Sequence, residues 1–155
     1  MREREIGIGV VGFGWMGRVH TSSYRRVVEH FPDLGIRPRL VVVADVSEAR
    51  RRQAERIGFA ETTEDWRAVV EHPGVELVSI TMPNSMHREV ALAAIAAGKH
   101  LWVEKPVGRG LGETQAVADA VRRAGGTPTR VPTPDQAVGL TWTPDQKTPG
   151  LPAPA

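Results

Sequence analysis

The run Ile6-Gly7-Ile8-Gly9-Val10-Val11 has only small or β-branched residues and no charge, the pattern of a strand buried on both faces. Gly12-Phe13-Gly14-Trp15-Met16-Gly17 follows at once and fits G-x-G-x-x-G, with a helical stretch running on toward Val27-Val28. A glycine triplet alone is a weak signal; strand, glycine turn and helix in that order make it a useful one. Gly12 lets the chain turn tightly, Gly14 lets the backbone approach a pyrophosphate, and Gly17 lets helix pack on strand. The helix N-terminus then offers N–H groups and partial positive charge to phosphates. The blander alternative is a glycine-rich turn that holds no ligand.

The rest of the chain alternates in the same rhythm. Met16 to about His30 is the first helix, closed by Phe31-Pro32-Asp33-Leu34-Gly35. Pro38 bars its continuation, and Leu40 to Ala44 is a second apolar strand ending on Asp45. Ser47 suits the N-cap of a helix from Glu48 to Ile57, with Gly58 just past its end. Phe59-Ala60 is at most a short third strand, and Thr62 or Thr63 caps a helix carrying Trp66, Val69 and Val70. Val75 to Thr81 is the fourth strand. Pro83-Asn84-Ser85 breaks it before an apolar helix from Met86 to Ala97, and His100 to Val103 is the fifth. Leu111 to Ala124 is the last helix, with Ala116, Val117, Ala120, Val121 and Ala124 along one face. Such alternation implies right-handed βαβ units. The expected fold is therefore α/β, a Rossmann-type doubly wound parallel sheet of order 3-2-1-4-5.

In such sheets ligands lie beyond the carboxyl ends of the strands. The Gly12 turn, Asp45, Met82-Pro83-Asn84 and Glu104-Lys105-Pro106 all fall at such ends. Asp45 suits the adenosine ribose hydroxyls and would repel a 2′-phosphate, which favours NAD; a helix-capping aspartate is the alternative. Arg50-Arg51-Arg52 reads as a solvated helix face but leaves NADP open. An ammonium at Lys105 suits a substrate hydroxyl or carbonyl oxygen and the charge that develops in hydride transfer. Glu104 is placed to steer the lysine, and Pro106 stiffens the turn, with a cis Lys105–Pro106 bond one of its two options. Glu-Lys-Pro on its own is a commonplace charged turn.

Composition narrows the function classes. The 155 residues include no cysteine, which removes disulfides, thiolate metal sites and cysteine nucleophiles. His20, His30, His72 and His100 show no metal-ligand spacing, so no metal is expected and they are given no chemistry. The net charge of +2 is small and its charges are interspersed, which argues against a nucleic-acid partner. No apolar run approaches membrane-spanning length. A cytoplasmic location is expected.

Taken together, Gly12-Phe13-Gly14-Trp15-Met16-Gly17, Asp45, Thr81-Met82-Pro83-Asn84 with His87, Ala97-Gly98-Lys99-His100 and Glu104-Lys105-Pro106 resemble the Gfo/Idh/MocA oxidoreductases, from residue 5 to about 124. That family includes glucose–fructose oxidoreductase and inositol dehydrogenases. The resemblance implies that Gly12, Gly14 and Gly17, with the intervening Phe13, Trp15 and Met16, hold the pyrophosphate, and that Asp45 holds the adenosine ribose. It puts Thr81, Pro83, Asn84 and His87 on the nicotinamide side, with Glu104 and Lys105 at the nicotinamide ribose and Lys105 reaching substrate as the catalytic residue. Read without the family, His87 is a capping or packing histidine.

The resemblance stops where a substrate domain should start. Residues 1–124 read as the NAD(P)-binding domain. Residues 125–155 hold seven of the twelve prolines and are expected to form a disordered tail, with Thr129-Arg130-Val131 an edge strand at best. The family's C-terminal substrate domain and its oligomer contacts are then missing. The expectation is a truncated NAD(P)-dependent oxidoreductase of sugar or polyol CH–OH groups, incomplete as a catalyst alone. The alternative is a non-catalytic NAD(P)-binding sensor or subunit.

Overall fold

A computed structural model describes residues 4–125 and the strand backbones at 129–130 and 140–142. Five parallel strands form the body of the sheet: β1 Arg4–Val11, β2 Ile36–Ala44, β3 Glu61–Thr63, β4 Leu77–Ile80 and β5 His100–Val103. Their spatial order is 3-2-1-4-5, as the alternation predicts. The helices α1 Trp15–His30, α2 Glu48–Ile57, α3 Trp66–Glu71, α4 His87–Ala96 and α5 Leu111–Arg123 follow β1 to β5 in turn. Two antiparallel strands extend the sheet beyond β5: β7 Leu140–Trp142 beside it and β6 Thr129–Arg130 outermost. Thr129-Arg130 thus lies at an edge, and β7 is an addition to the expected architecture. The expected disorder of the rest of the tail lies outside the described residues.

The central strands are apolar throughout because both faces are covered. Side chains alternate across the sheet, so Ile8, Val10 and Val43 face one way, with Phe13, Tyr24, Ala54 and Phe59 packing over them from the side of α1 and α2. Val11, Val42 and Ala44 belong to the other core, where Val69, Val90, Ala94, Val117 and Val121 bring in α3, α4 and α5.

Several boundaries differ from the sequence reading. β2 starts at Ile36 and runs through Pro38, which lies opposite Ile6. Proline is accommodated because β3 pairs only with Val42–Ala44, leaving β2 an edge strand at that height. β3 is Glu61–Thr63 rather than Phe59-Ala60, because the Gly58 and Phe59 N–H groups close the end of α2 on the Ala54 carbonyl and the Phe59 ring meets Phe13 edge-on at 5.7 Å. With Thr62 and Thr63 in the strand, Asp65 caps α3, accepting from Arg67 N–H. Ser47 occupies the N-cap of α2 without a side-chain cap bond. β4 is shorter than expected, and a 3-10 turn at Asn84–Met86 precedes α4.

Register decides where the site lies. Ala44, Val11, Ile80 and Val103 form one cross-strand row. The next residue on each strand continues it through main-chain bonds from Gly12 N to Ala44 O, Thr81 N to Val11 O and Glu104 N to Ile80 O. Asp45, Gly12, Thr81 and Glu104 therefore line one rim, about 14 Å long at the usual strand spacing. Gly12 turns the chain there at φ +91°, and a Cβ would stand 2.7 Å from the Met82 backbone. Gly12→Ala should therefore cost about 2–3 kcal/mol in urea unfolding; an unchanged midpoint would contradict this packing.

Candidate functional site

The glycine turn is built by close approach. A Cβ on Gly17 would meet the Gly12 carbonyl oxygen at 2.2 Å, so only glycine lets α1 start this near β1. The Thr81 hydroxyl donates to that same oxygen at 2.5 Å and pins the turn to β4. Gly14 differs from both. A Cβ there would meet only the Arg50 guanidinium, at 3.9 Å, so the fold does not need the space beside it. Gly14 is also the N-cap of α1, with no side-chain cap and no acidic residue in the first turn. An uncapped N-terminus of a long helix beside open space presents N–H donors to an anion.

Asp45 organises the adjoining end of the rim. Its side chain is only 4% exposed. Oδ2 accepts the Phe13 N–H at 2.7 Å and Oδ1 accepts the Ser47 N–H at 2.8 Å, while Arg50 stands 3.5 Å from Oδ2. Two backbone bonds leave lone pairs on a carboxylate, so the side chain can brace the loop and still accept from a ribose. Asp45 caps neither helix, since the N-cap of α1 is Gly14 and that of α2 is Ser47; its two bonds brace the loops on either side. The arginine run is not a uniformly solvated face. Arg51 donates to the Asp45 and Val46 carbonyls and pairs with Glu64, whereas Arg52 pairs with Glu48 on its own helix.

At the other end of the rim, Pro83 and Asn84 are exposed. His87 is 1% exposed. Its ring nitrogens lie 2.9 Å from the Pro106 carbonyl and 2.7 Å from that of Met82, so it ties the loop after β4 to the turn after β5. Phe13 is likewise buried and meets the rim through its backbone alone, whereas Trp15 is 71% exposed and Met16 half-buried. Lys105 is exposed, with a cis bond to Pro106, and among the described residues no acceptor holds its ammonium.

One part of the site escaped the sequence reading. His20, given no chemistry there, is buried, with Nε2 at 2.8 Å from Glu104 Oε1 and Nδ1 at 3.1 Å from Ser79 Oγ. Tyr24 Oη lies 2.6 Å from the same serine oxygen. The Trp102 ring packs on the imidazole with centroids 4.7 Å apart. Burial lowers the His20 pKa below its ordinary value, against the opposing pull of Glu104, and burial raises that of Tyr24 despite its bond to Ser79. Neutral His20 and protonated Tyr24 give a one-way chain of donors: Tyr24 to Ser79, Ser79 to Nδ1, Nε2–H to Glu104. No group of three or more histidine or acidic residues suited to a metal ion occurs among the described residues.

A parallel sheet with an uncapped glycine turn at its switch point defines a doubly wound nucleotide-binding domain. Residues 6–130 match the Gfo/Idh/MocA profile, an oxidoreductase family with an NAD-binding Rossmann fold, and the chain belongs to that family. Among curated relatives, levoglucosan dehydrogenase of Pseudarthrobacter phenanthrenivorans is 36% identical over 77% of this chain and 31% of its own length. The NAD⁺-dependent scyllo-inositol 2-dehydrogenase of Bacillus subtilis is 32% identical over 79% and 34%. A solved levoglucosan dehydrogenase in complex with NADH and levoglucosan superposes with a TM-score of 0.73 at 35% identity, over 77% of this chain and 32% of that one. The chain thus spans about a third of the length of the relatives it matches.

The His20 chain carries a pH signature. A histidine with a lowered folded pKa takes up its proton in the unfolded state first, starting near the model-peptide value of 6.5. In the window below 6.5 and above the lowered folded value the unfolded chain binds more protons, so stability falls as pH falls. Urea midpoints at pH 8 and pH 5.5 should therefore diverge more in the parent chain than in His20→Gln. Equal divergence would contradict a buried neutral His20.

Proposed function

We propose that this chain is the NAD(H)-binding half of an oxidoreductase acting on CH–OH groups of sugars or polyols. The observation that carries the reading is the rim itself: Asp45, Gly12, Thr81 and Glu104 in register, with the bare N-terminus of α1 at its centre. In this reading the first-turn amides of α1 hold the pyrophosphate, and Asp45 accepts from the adenosine ribose. Asp45 is the reason to expect NAD(H) over NADP(H), since its carboxylate opposes a 2′-phosphate; Arg50 beside it is the group that would soften that preference. Pro83 and Asn84 border the nicotinamide side, braced from beneath by His87. The bound cofactor supplies a hydride acceptor. Glu104 stands at the nicotinamide ribose, and Lys105, its ammonium without an acceptor among the described residues, holds the substrate oxygen and stabilises developing charge. NADH and a sugar in the levoglucosan dehydrogenase complex support the same assignment.

Positioning supplies much of the rate in such chemistry, and the residues here build only the cofactor side, so turnover belongs to a protein with a substrate-binding part. We place residues 1–124 as the cofactor domain. Among the described residues no helix is long and apolar enough to cross a membrane. A cysteine-free chain that uses a dinucleotide suits the cytoplasm. A second reading, a non-catalytic NAD(H)-binding module, draws on the same rim and separates from the first by Lys105→Ala: loss of dehydrogenase activity with NADH binding kept supports the enzyme.

Titration with NADH and NADPH should show saturable binding, tighter for NADH. Gly14→Asp is the sharper test. Aspartate is a favoured N-cap that complements the helix dipole, and the added Cβ has room, so thermal stability should hold or rise. Its charge enters the phosphate space, and NADH affinity should drop by at least about tenfold, or 1.4 kcal/mol. Unchanged affinity in a folded variant would overturn the assignment.

A further inference from the structure

The cradle and the lysine turn lie far apart in sequence, and their connection is a side chain that the cofactor reading does not use. α1 begins at the phosphate cradle. Within its second turn His20 leaves the helix toward β4 and β5, 3% exposed, and reaches a carboxylate 84 residues away at 2.8 Å. That carboxylate, on Glu104, is held from two sides: Oε1 accepts from His20, and Oε2 accepts from the Lys105 N–H at 3.2 Å. The Glu104 side chain is 17% exposed, so it reaches the rim while its inner oxygen is anchored.

The imidazole has little freedom. Ser79 on β4 fixes Nδ1, Tyr24 one turn further along α1 fixes Ser79, and Trp102 on β5 lies against the ring. Ser79 and Trp102 are themselves register partners across β4 and β5. Each polar atom in the chain has its partner, the condition under which a buried network rigidifies what it touches. The groups facing His20 from the surrounding elements are Tyr24, Ser79, Trp102 and Glu104, of which only Glu104 carries charge.

We propose that His20 is a positioning residue that presets Glu104, and through it the Lys105 turn, for the nicotinamide half of the dinucleotide. α1 then seats the pyrophosphate with its first turn and aims the acid–lysine pair with its second. The inference rests on the proposed NAD(H) reading. A ligand that keeps the adenosine and both phosphates but lacks the nicotinamide and its ribose, ADP, separates the two ideas.

The experiment is calorimetric titration of the whole chain with NADH and with ADP, in the parent, His20→Asn and His20→Gln. Asparagine keeps a polar partner for Ser79 but falls short of Glu104; the longer glutamine returns an amide N–H toward that carboxylate. His20→Asn should bind NADH about tenfold more weakly while ADP changes by less than about twofold, and His20→Gln should recover most of the loss, as expected for one bond that orients a charged group. Should His20→Asn fail to fold, Ser79→Ala removes the partner that fixes Nδ1 without touching the rim and should give the same split between ligands. Equal weakening of both ligands, no weakening of either, or no rescue by glutamine overturns the positioning role while leaving the cofactor site standing. A parent chain that binds neither ligand overturns both.

Discussion

The bond from the Phe13 N–H to the Asp45 carboxylate is the contact on which the rest of the rim depends. It joins the glycine turn to the end of β2 across 32 residues of sequence, at a carboxylate almost closed to water. A buried carboxylate left without donors is costly, so the turn and the strand end hold each other in place. Around that bond Gly12 passes close to Met82, Thr81 holds the Gly12 carbonyl, and Arg51 closes over the Asp45 carbonyl. The first turn of α1 is left with its amides facing outward and nothing capping them. That arrangement is what the proposed pyrophosphate site rests on, without any side chain dedicated to phosphate.

Legibility in the sequence tracked the range of the interactions. β1, the glycine turn and β5 were readable because contiguous apolar runs and local glycines define them, and the strand order followed from their alternation with helices. β3 was misplaced by two residues because tertiary packing decided it: Phe59 was taken by the core against Phe13. The cap of α3 moved to Asp65 as a consequence. The places of Asp45 and Lys105 just past the ends of β2 and β5 are legible from the apolar runs that precede them. The roles of Phe13 and His87 were legible only in part, since burial turns both inward and leaves them as braces. His20 could not be read at all. Its partners lie 59 and 84 residues away, and no local pattern announces them; the one available clue was a histidine one turn past the glycine motif, on the face that also carries Tyr24.

The cofactor side has its own support: both sheet faces are covered and each rim residue is tied to at least one neighbour. The side proposed to face substrate is different in kind. Lys105 stands exposed, Pro83 and Asn84 are open to solvent, and the relatives run to about three times the matched length. On the proposed reading, a cofactor face meeting a separately built substrate face would let one cradle serve different sugars and polyols; the relatives include levoglucosan and inositol dehydrogenases.

The central claim is that the carboxyl ends of β2, β1, β4 and β5 form one NAD(H) cradle. Amide NMR of the isotopically labelled chain during NADH titration tests it most directly. Saturable shifts are expected at Gly14 to Gly17, Asp45, Thr81, Asn84, Glu104 and Lys105, with Gly74 and Gly98 at the opposite edge unmoved. Shifts confined to that opposite edge, or none at millimolar NADH, would contradict it.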